Sequence, residues 1–161
     1  MNTKTTNLFK MKKITLLLML LAIGTGAFAQ RNGVAPLAKG EHQLNFGVGF
    51  NNYGLPVYAS FDFAVHKDVT VTPQVNLVLD DEVRFGALVK ADYHWNYLIG
   101  IPSDWDFYSG ARIGFISGND FEMDFGIQVG GRWYWSEKWA LNLEFAGGTG
   151  FGTVLGVSLK M

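Results

Sequence analysis

The run FEMDFGIQVGGRWYW, residues 121–135, alternates from end to end. Phe121, Met123, Phe125, Ile127, Val129, Gly131, Trp133 and Trp135 carry no charge, and Glu122, Asp124, Gly126, Gln128, Gly130, Arg132 and Tyr134 lie between them. A period of two marks a strand, because successive side chains of an extended chain point to opposite faces. One face here is aromatic and aliphatic throughout, while the other mixes ions with glycine. That division suits a strand with lipid on one side.

Working outward, the same stripe predicts strands over 42–50, 56–65, 69–79, 84–95, 105–116, 121–135, 139–147 and 152–161. Short polar or glycine-containing clusters separate them: Asn51-Asn52-Tyr53-Gly54, His66-Lys67-Asp68, Asp80-Asp81-Glu82, Ser117-Gly118-Asn119-Asp120, Ser136-Glu137-Lys138 and the glycine-rich 147–152. A longer connection, 96–104, contains Gly100 and Pro102. Helical periodicity of useful length is missing after residue 29, so the fold class is all-β. Pro73 falls inside the third strand, where proline removes a ladder donor; a bulge, a split strand or a local register error is expected there.

In the first strand the apolar face is Leu44, Phe46, Val48 and Phe50. From Val57 onward it falls on odd positions, none of which holds an ionisable Asp, Glu, Lys, Arg or His within a strand. The even positions hold Asp62, Arg84, Lys90, Asp92, His94, Asp106, Arg112, Glu122, Asp124, Arg132, Glu144 and Lys160. A soluble barrel or sandwich would bury the apolar face and wet the charged one; a membrane barrel inverts this. Volume favours inversion. The interior of an eight-stranded barrel is only just wide enough to be filled by side chains, and this apolar face carries Phe61, Phe63, Phe85, Tyr93, Trp95, Trp105, Phe107, Phe115, Phe121, Phe125, Trp133, Trp135, Trp139 and Phe145. The other face is thinned by Gly86, Gly110, Gly114, Gly126, Gly130 and Gly156, leaving room for long ionic side chains. The strand lengths also suit an oblique membrane crossing.

All five tryptophans, Trp95, Trp105, Trp133, Trp135 and Trp139, lie at strand ends beside two turns, 96–104 and 136–138. With the mature N-terminus in the periplasm, those turns share a side, and the indoles form an interfacial girdle on the periplasmic rim. Phe50, Tyr53, Phe115, Phe121 and Phe151 are expected to do similar duty at the opposite rim.

Residues 1–29 are a secretory signal by pattern. Met11-Lys12-Lys13 is a basic start, residues 14–23 are an apolar core too short to span a bilayer comfortably, and Ala27-Phe28-Ala29 is a small-x-small cleavage site before Gln30. Met11 would serve as initiator as well as Met1. Residues 30–41 then form an N-terminal periplasmic segment and 42–161 the barrel domain. Cleavage removes Lys4, Lys10, Lys12 and Lys13, four of thirteen basic residues, and none of fourteen acids; nine against fourteen leaves a net charge of −5. Nothing in that balance invites nucleic acid. The chain has no cysteine, which excludes a disulfide framework and a lipid-modified cysteine.

On this alternation, over residues 42–161, the chain resembles the small eight-stranded outer-membrane barrels of Gram-negative bacteria, the group that includes the OmpA transmembrane domain and OmpX-like proteins. The resemblance implies insertion by the barrel-assembly machinery; outer-membrane lipids are the expected surroundings, and a monomer is favoured with the oligomeric state open. That machinery recognises a last strand of alternating apolar residues ending in an aromatic. Leu155, Val157 and Leu159 keep the alternation, and Met161 stands where the aromatic is usual. The outward turns are a few residues long, which argues against surface binding.

Simple hairpin pairing across 117–120 places Arg112 near Asp124 and Asp106 near Arg132, with Glu144 expected to approach Arg132 from the other side. Buried charges are tolerable when paired and hydrogen-bonded. Asp62, Lys90, Asp92, Asp106, Arg112, Glu122, Asp124, Arg132, Glu144 and Lys160 are therefore expected to form an ion network that holds the barrel closed. The alternatives are a narrow pore lined by the same ions and a soluble periplasmic ligand-binding barrel. No enzymatic activity, cofactor or metal is expected. Ser109 and Thr153 on the apolar face have no histidine or carboxylate beside them, and of His42, His66 and His94 only His94 points inward. Asp80-Asp81-Glu82 is expected to be a solvated acidic turn, and 147–152 has neither the Lys-Ser/Thr nor the following helix of a phosphate loop.

Overall fold

A computed structural model describes residues 35–50, 54–79, 83–118, 120–148 and 152–161. The proposed signal segment, the tips at 51–53, 80–82 and 149–151, and with them Tyr53 and Phe151, lie outside the described residues. Eight strands follow in order: β1 His42–Phe50, β2 Leu55–His66, β3 Val69–Leu79, β4 Arg84–His94, β5 Trp105–Ser117, β6 Phe121–Tyr134, β7 Trp139–Gly148 and β8 Thr153–Lys160. Each pairs antiparallel with the next, and β8 pairs with β1, which closes the barrel. Because the strand number is even, β1 begins and β8 ends at one rim, termed proximal below. The connections β2–β3, β4–β5 and β6–β7 lie there, and the others lie at the distal rim.

The alternation in sequence becomes an alternation of environment. From β2 onward, odd positions such as Val57, Phe63, Val75, Val89, Phe107, Phe125, Val129 and Phe145 point outward and are exposed. Even positions such as Tyr58, Ser60, Asp62, Lys90, Asp92, Arg132 and Glu144 point inward and are buried. The interior is thus more polar than the outer surface, the reverse of a soluble domain. In β1 the parity is opposite, with Gln43 and Asn45 inward, because Gln43 pairs with Asp62 and Asn45 with Ser60. Small residues make room for large ones inside the lumen. A Cβ on Gly130 would lie 2.4 Å from the Tyr108 ring, and one on Gly156 would lie 2.3 Å from Tyr58 Oη.

Pro73 corrects one expectation. β3 runs unbroken through it, Pro73 pairs in register with Val89, and its ring faces outward. The β2–β3 ladder keeps one register on both sides, Ser60 with Gln74 and Phe63 with Val71, while no pair forms at Phe61 and Asp62 opposite the missing donor. The irregularity lies farther on, between Ala64 and His66, where the chain turns into β3. A missing donor thus removes rungs without moving the strand.

The 95–104 connection contains a single helical turn, α1 Asn96–Ile99. Residues 35–41 fold back on the proximal rim as a strap, with Ala35 and Leu37 buried. Gly40 donates its N–H to the Ala64 carbonyl at 2.8 Å, and Ala64 donates to Glu41 at 3.1 Å.

A charged lumen as candidate functional site

The lumen is crossed by two sets of bonds. In the first, Arg132 of β6 donates Nη2 to Asp62 Oδ2 at 2.7 Å and Nη1 to Asp106 Oδ2 at 3.0 Å. Its guanidinium lies 4.5 Å from the centroid of the Tyr108 ring. Asp62 also accepts from Thr72 Oγ1 at 2.8 Å, Asn45 Nδ2 at 2.9 Å and Gln43 Nε2 at 3.3 Å, and Tyr134 Oη donates to Gln43. The other oxygen of Asp106 is 2.7 Å from His94 Nδ1, and His94 Nε2 is 3.0 Å from Thr70 Oγ1. A carboxylate only accepts, so Nδ1 carries the proton shared with Asp106.

In the second set, Lys90 Nζ of β4 reaches Glu144 Oε2 of β7 at 2.7 Å, and Tyr108 Oη donates to the same oxygen at 3.0 Å. Beside it, Tyr58 Oη donates to Asn142 Oδ1 at 2.8 Å, and Asn142 Nδ2 donates to Ser158 Oγ at 2.8 Å. Both sets join strands that are not neighbours, so they brace the barrel across its width. Ion pairs reinforced by hydrogen bonds are the arrangement in which buried ions are tolerated, and of the Arg132 nitrogens Nε alone finds no hydrogen-bond partner among the described residues.

A third region is looser. Gln128 Nε2 donates to Asp92 Oδ1 at 2.7 Å. Arg112 Nε stands 3.4 Å from Asp124 Oδ2, an ion pair outside hydrogen-bond alignment. Among the described residues, Arg112 Nε and Nη2, Asp92 Oδ2 and Gln128 Oε1 are buried without a hydrogen-bond partner. Toward the distal rim three inward aliphatic side chains, Val78, Leu88 and Ile116, pack together.

Of the residues singled out from the sequence, the lumen brings together Asp62, Asp106 and Arg132, then Lys90 and Glu144, then Asp92, and Arg112 with Asp124. Three placements differ from expectation. Glu144 meets Lys90, not Arg132: the register sets Glu144 opposite Gly130, and the Arg132 guanidinium is taken up by Asp62 and Asp106. Glu122, one residue inside the distal end of β6, is exposed at the mouth. Lys160 sits at the proximal rim, where it binds Glu41 at 2.8 Å and the Pro36 carbonyl at 2.6 Å, anchoring the strap.

The five tryptophans are half-exposed at the proximal end. Trp105 stacks on Trp133 at 6.2 Å and Trp135 on Trp139 at 6.5 Å, while Trp95 Nε1 donates to Ser109 Oγ at 3.0 Å. Distally, Phe115 stacks on Phe121 at 5.3 Å. His42 packs outward against Phe61 and Phe63, and His66 lies at the β2–β3 turn.

Sequence reasoning passed over the uncharged partners: Gln43, Asn45, Tyr58, Thr70, Thr72, Tyr108, Tyr134, Asn142 and Ser158. Their inward parity was visible, yet only charge was used to choose. Thr70, His94 and Asp106 have the order of a nucleophilic triad. Thr70 is only 2% exposed, and Asp106 is also held by Arg132, so the three side chains are fixed within the lumen network.

No family model and no curated protein matches the sequence. Solved structures do. The N-terminal β-barrel domain of Pseudomonas aeruginosa OprF is similar with TM-score 0.62 and 14% identity, over 78% of this chain and 100% of that one. A de novo designed transmembrane β-barrel gives 0.62 and 17%, over 78% and 98%. The Yersinia pestis outer membrane protein Ail, in a phospholipid nanodisc, gives 0.53 and 10%, over 76% and 99%. At these identities the likeness is one of fold. The chain has the fold of the small eight-stranded outer-membrane barrels: closed, antiparallel and up-and-down.

Proposed function

We propose that the protein is a non-enzymatic outer-membrane β-barrel with a structural, envelope-maintaining role, its proximal rim in the periplasm and its lumen closed. The observation that carries this reading is the pair of cross-lumen braces, Asp62–Arg132–Asp106–His94 and Lys90–Glu144–Tyr108, set inside an outward apolar wall. Side chains bonded to one another across a narrow barrel occupy its cross-section, which favours a structural role over passage. The wall supplies the membrane surface, and the stacked tryptophans supply its interfacial edge.

A narrow pore for ions or small solutes is the second reading, favoured by the unpartnered polar atoms of Arg112, Asp92 and Gln128. Reconstitution into planar bilayers separates the two. The closed barrel is expected to give no stable unitary conductance, and a reproducible, ion-selective step would overturn that reading. A soluble ligand-binding barrel is tested apart from both: it would partition into the aqueous phase on detergent phase separation.

A further inference from the structure

At the proximal rim, several aliphatic residues outside the strands are turned in, while Met161, just past β8, is 59% exposed. Ala35 and Leu37 of the strap are buried, and so is Ile101, two residues beyond α1. The connections at Lys67-Asp68 and Ser136-Glu137-Lys138 are polar. Tyr97, Leu98 and Ile99 of α1 differ: they are 63, 59 and 64% exposed, more than any tryptophan of the girdle. Their exposure does not come from a loose loop. Asn96 is fully buried and donates Nδ2 to the Trp105 carbonyl at 2.6 Å, Ile99 donates its N–H to Trp95 at 3.1 Å, and Gly100 closes the turn at a φ of 63°. A held turn thus presents three consecutive apolar side chains outside the barrel.

We propose that α1 is an interfacial foot, with Tyr97, Leu98 and Ile99 entering the headgroup and upper acyl region of the phospholipid leaflet around the proximal rim. The proposal rests on the membrane-barrel reading above. Two observations choose lipid as the occupant. The first is continuity with the girdle: Trp95 immediately precedes α1, its ring packed edge-on against Tyr93 at 5.2 Å and its Nε1 bonded to Ser109, and Trp105 opens the next strand. The apolar surface of α1 therefore prolongs a belt already suited to headgroup depth. The second is Lys67, whose Nζ lies 4.1 Å from the centroid of the Tyr97 ring while standing 3.6 Å from Asp68. A lysine whose ammonium lies over an aromatic ring while the side chain stays 59% exposed is suited to the interface, where a cation can meet lipid phosphate.

The chain has no cysteine, so single spin labels can be placed without removing any residue. Leu98→Cys, Ile113→Cys and Glu137→Cys are labelled and reconstituted separately into phosphatidylethanolamine–phosphatidylglycerol vesicles, and collision with oxygen and with a water-soluble nickel chelate is measured. Ile113, outward on β5, reports whether the barrel wall is in lipid; Glu137, in a polar proximal turn, reports water. The Leu98 label is expected to resemble Ile113, rich in oxygen collisions and severalfold poorer in nickel collisions than Glu137. Nickel access at Leu98 equal to that at Glu137, with Ile113 protected, overturns the foot and leaves α1 as a surface for a protein partner. Nickel access at Ile113 overturns the membrane reading itself.

Discussion

Truncating Arg132 leaves Asp62 and Asp106 in the lumen without the guanidinium that joins them, and an uncompensated buried charge costs about 3–5 kcal/mol. Arg132→Ala is expected to lower unfolding stability in detergent by that amount, read from the denaturant midpoint. Arg132→Lys should recover only part, because one ammonium cannot bridge two carboxylates in the planar geometry of a guanidinium. Arg112→Ala should cost less, about 1–3 kcal/mol, since two of the Arg112 guanidinium nitrogens, against one of Arg132, have no hydrogen-bond partner among the described residues. Equal losses at the two arginines would remove the distinction between a braced and a loose region. Glycine gives a test by volume: Gly130→Ala drives a methyl into the Tyr108 ring and is expected to cost about 1–3 kcal/mol, whereas Gly147→Ala meets no atom of the described residues within 4 Å and should be near neutral. At this scale the sequence was half legible. Parity and charge picked out Asp106, Arg132, Arg112 and Asp124, because adjacent strands in a hairpin bring them together. Lys90 with Glu144, and Arg132 with Asp62, were not legible, because those pairs cross the lumen and depend on stagger and closure, which no local pattern encodes.

Among the elements, β3 and the strap make opposite points. The alternation through Val69–Leu79 held its register past Pro73, since inward Thr72 and Gln74 and outward Val71 and Val75 can all keep their environments only in one register. Pro73→Val should restore a donor toward β2 and raise stability by about 0.5–1.5 kcal/mol; a fall would mean that the β2–β3 interruption has another cause. The strap was not legible, as 35–41 has no period, and only the fold shows Leu37 turned inward and Glu41 gripped. Burial pushes the Glu41 carboxyl up, but hydrogen bonds from Lys160 and from the Ala38 N–H, with the Lys160 charge, outweigh it and hold the group below the usual glutamate range. The clamp is therefore complete above the pH at which an unfolded glutamate ionises, and it is lost as pH falls through the lowered folded value. The Ala38 amide resonance should titrate with that lowered midpoint, and Lys160→Met should move it upward; an unmoved midpoint would show that Lys160 is not the cause.

For the whole molecule, an outward apolar wall around a braced interior predicts a barrel that stays folded in detergent at room temperature and opens on boiling. Unboiled protein should migrate apart from boiled protein in electrophoresis, and identical mobility would count against a closed barrel. Architecture at this level was the most legible of all, because one two-residue period, repeated along the chain, states at once the strand count, the facing of each side chain and the inverted solvent preference. The fold also added the inward cluster of Val78, Leu88 and Ile116, hidden among even positions otherwise chosen for polarity. The seam between β1 and β8 pairs Gln43 with Lys160 and Phe50 with Thr153, the two extremes of the barrel sequence. No rung of it can form until every intervening strand exists, so its contact order is the highest the topology allows, and folding waits on its last residues. Until then two long strand edges stand open, and what the finished barrel abolishes is for that interval its chief hazard of aggregation.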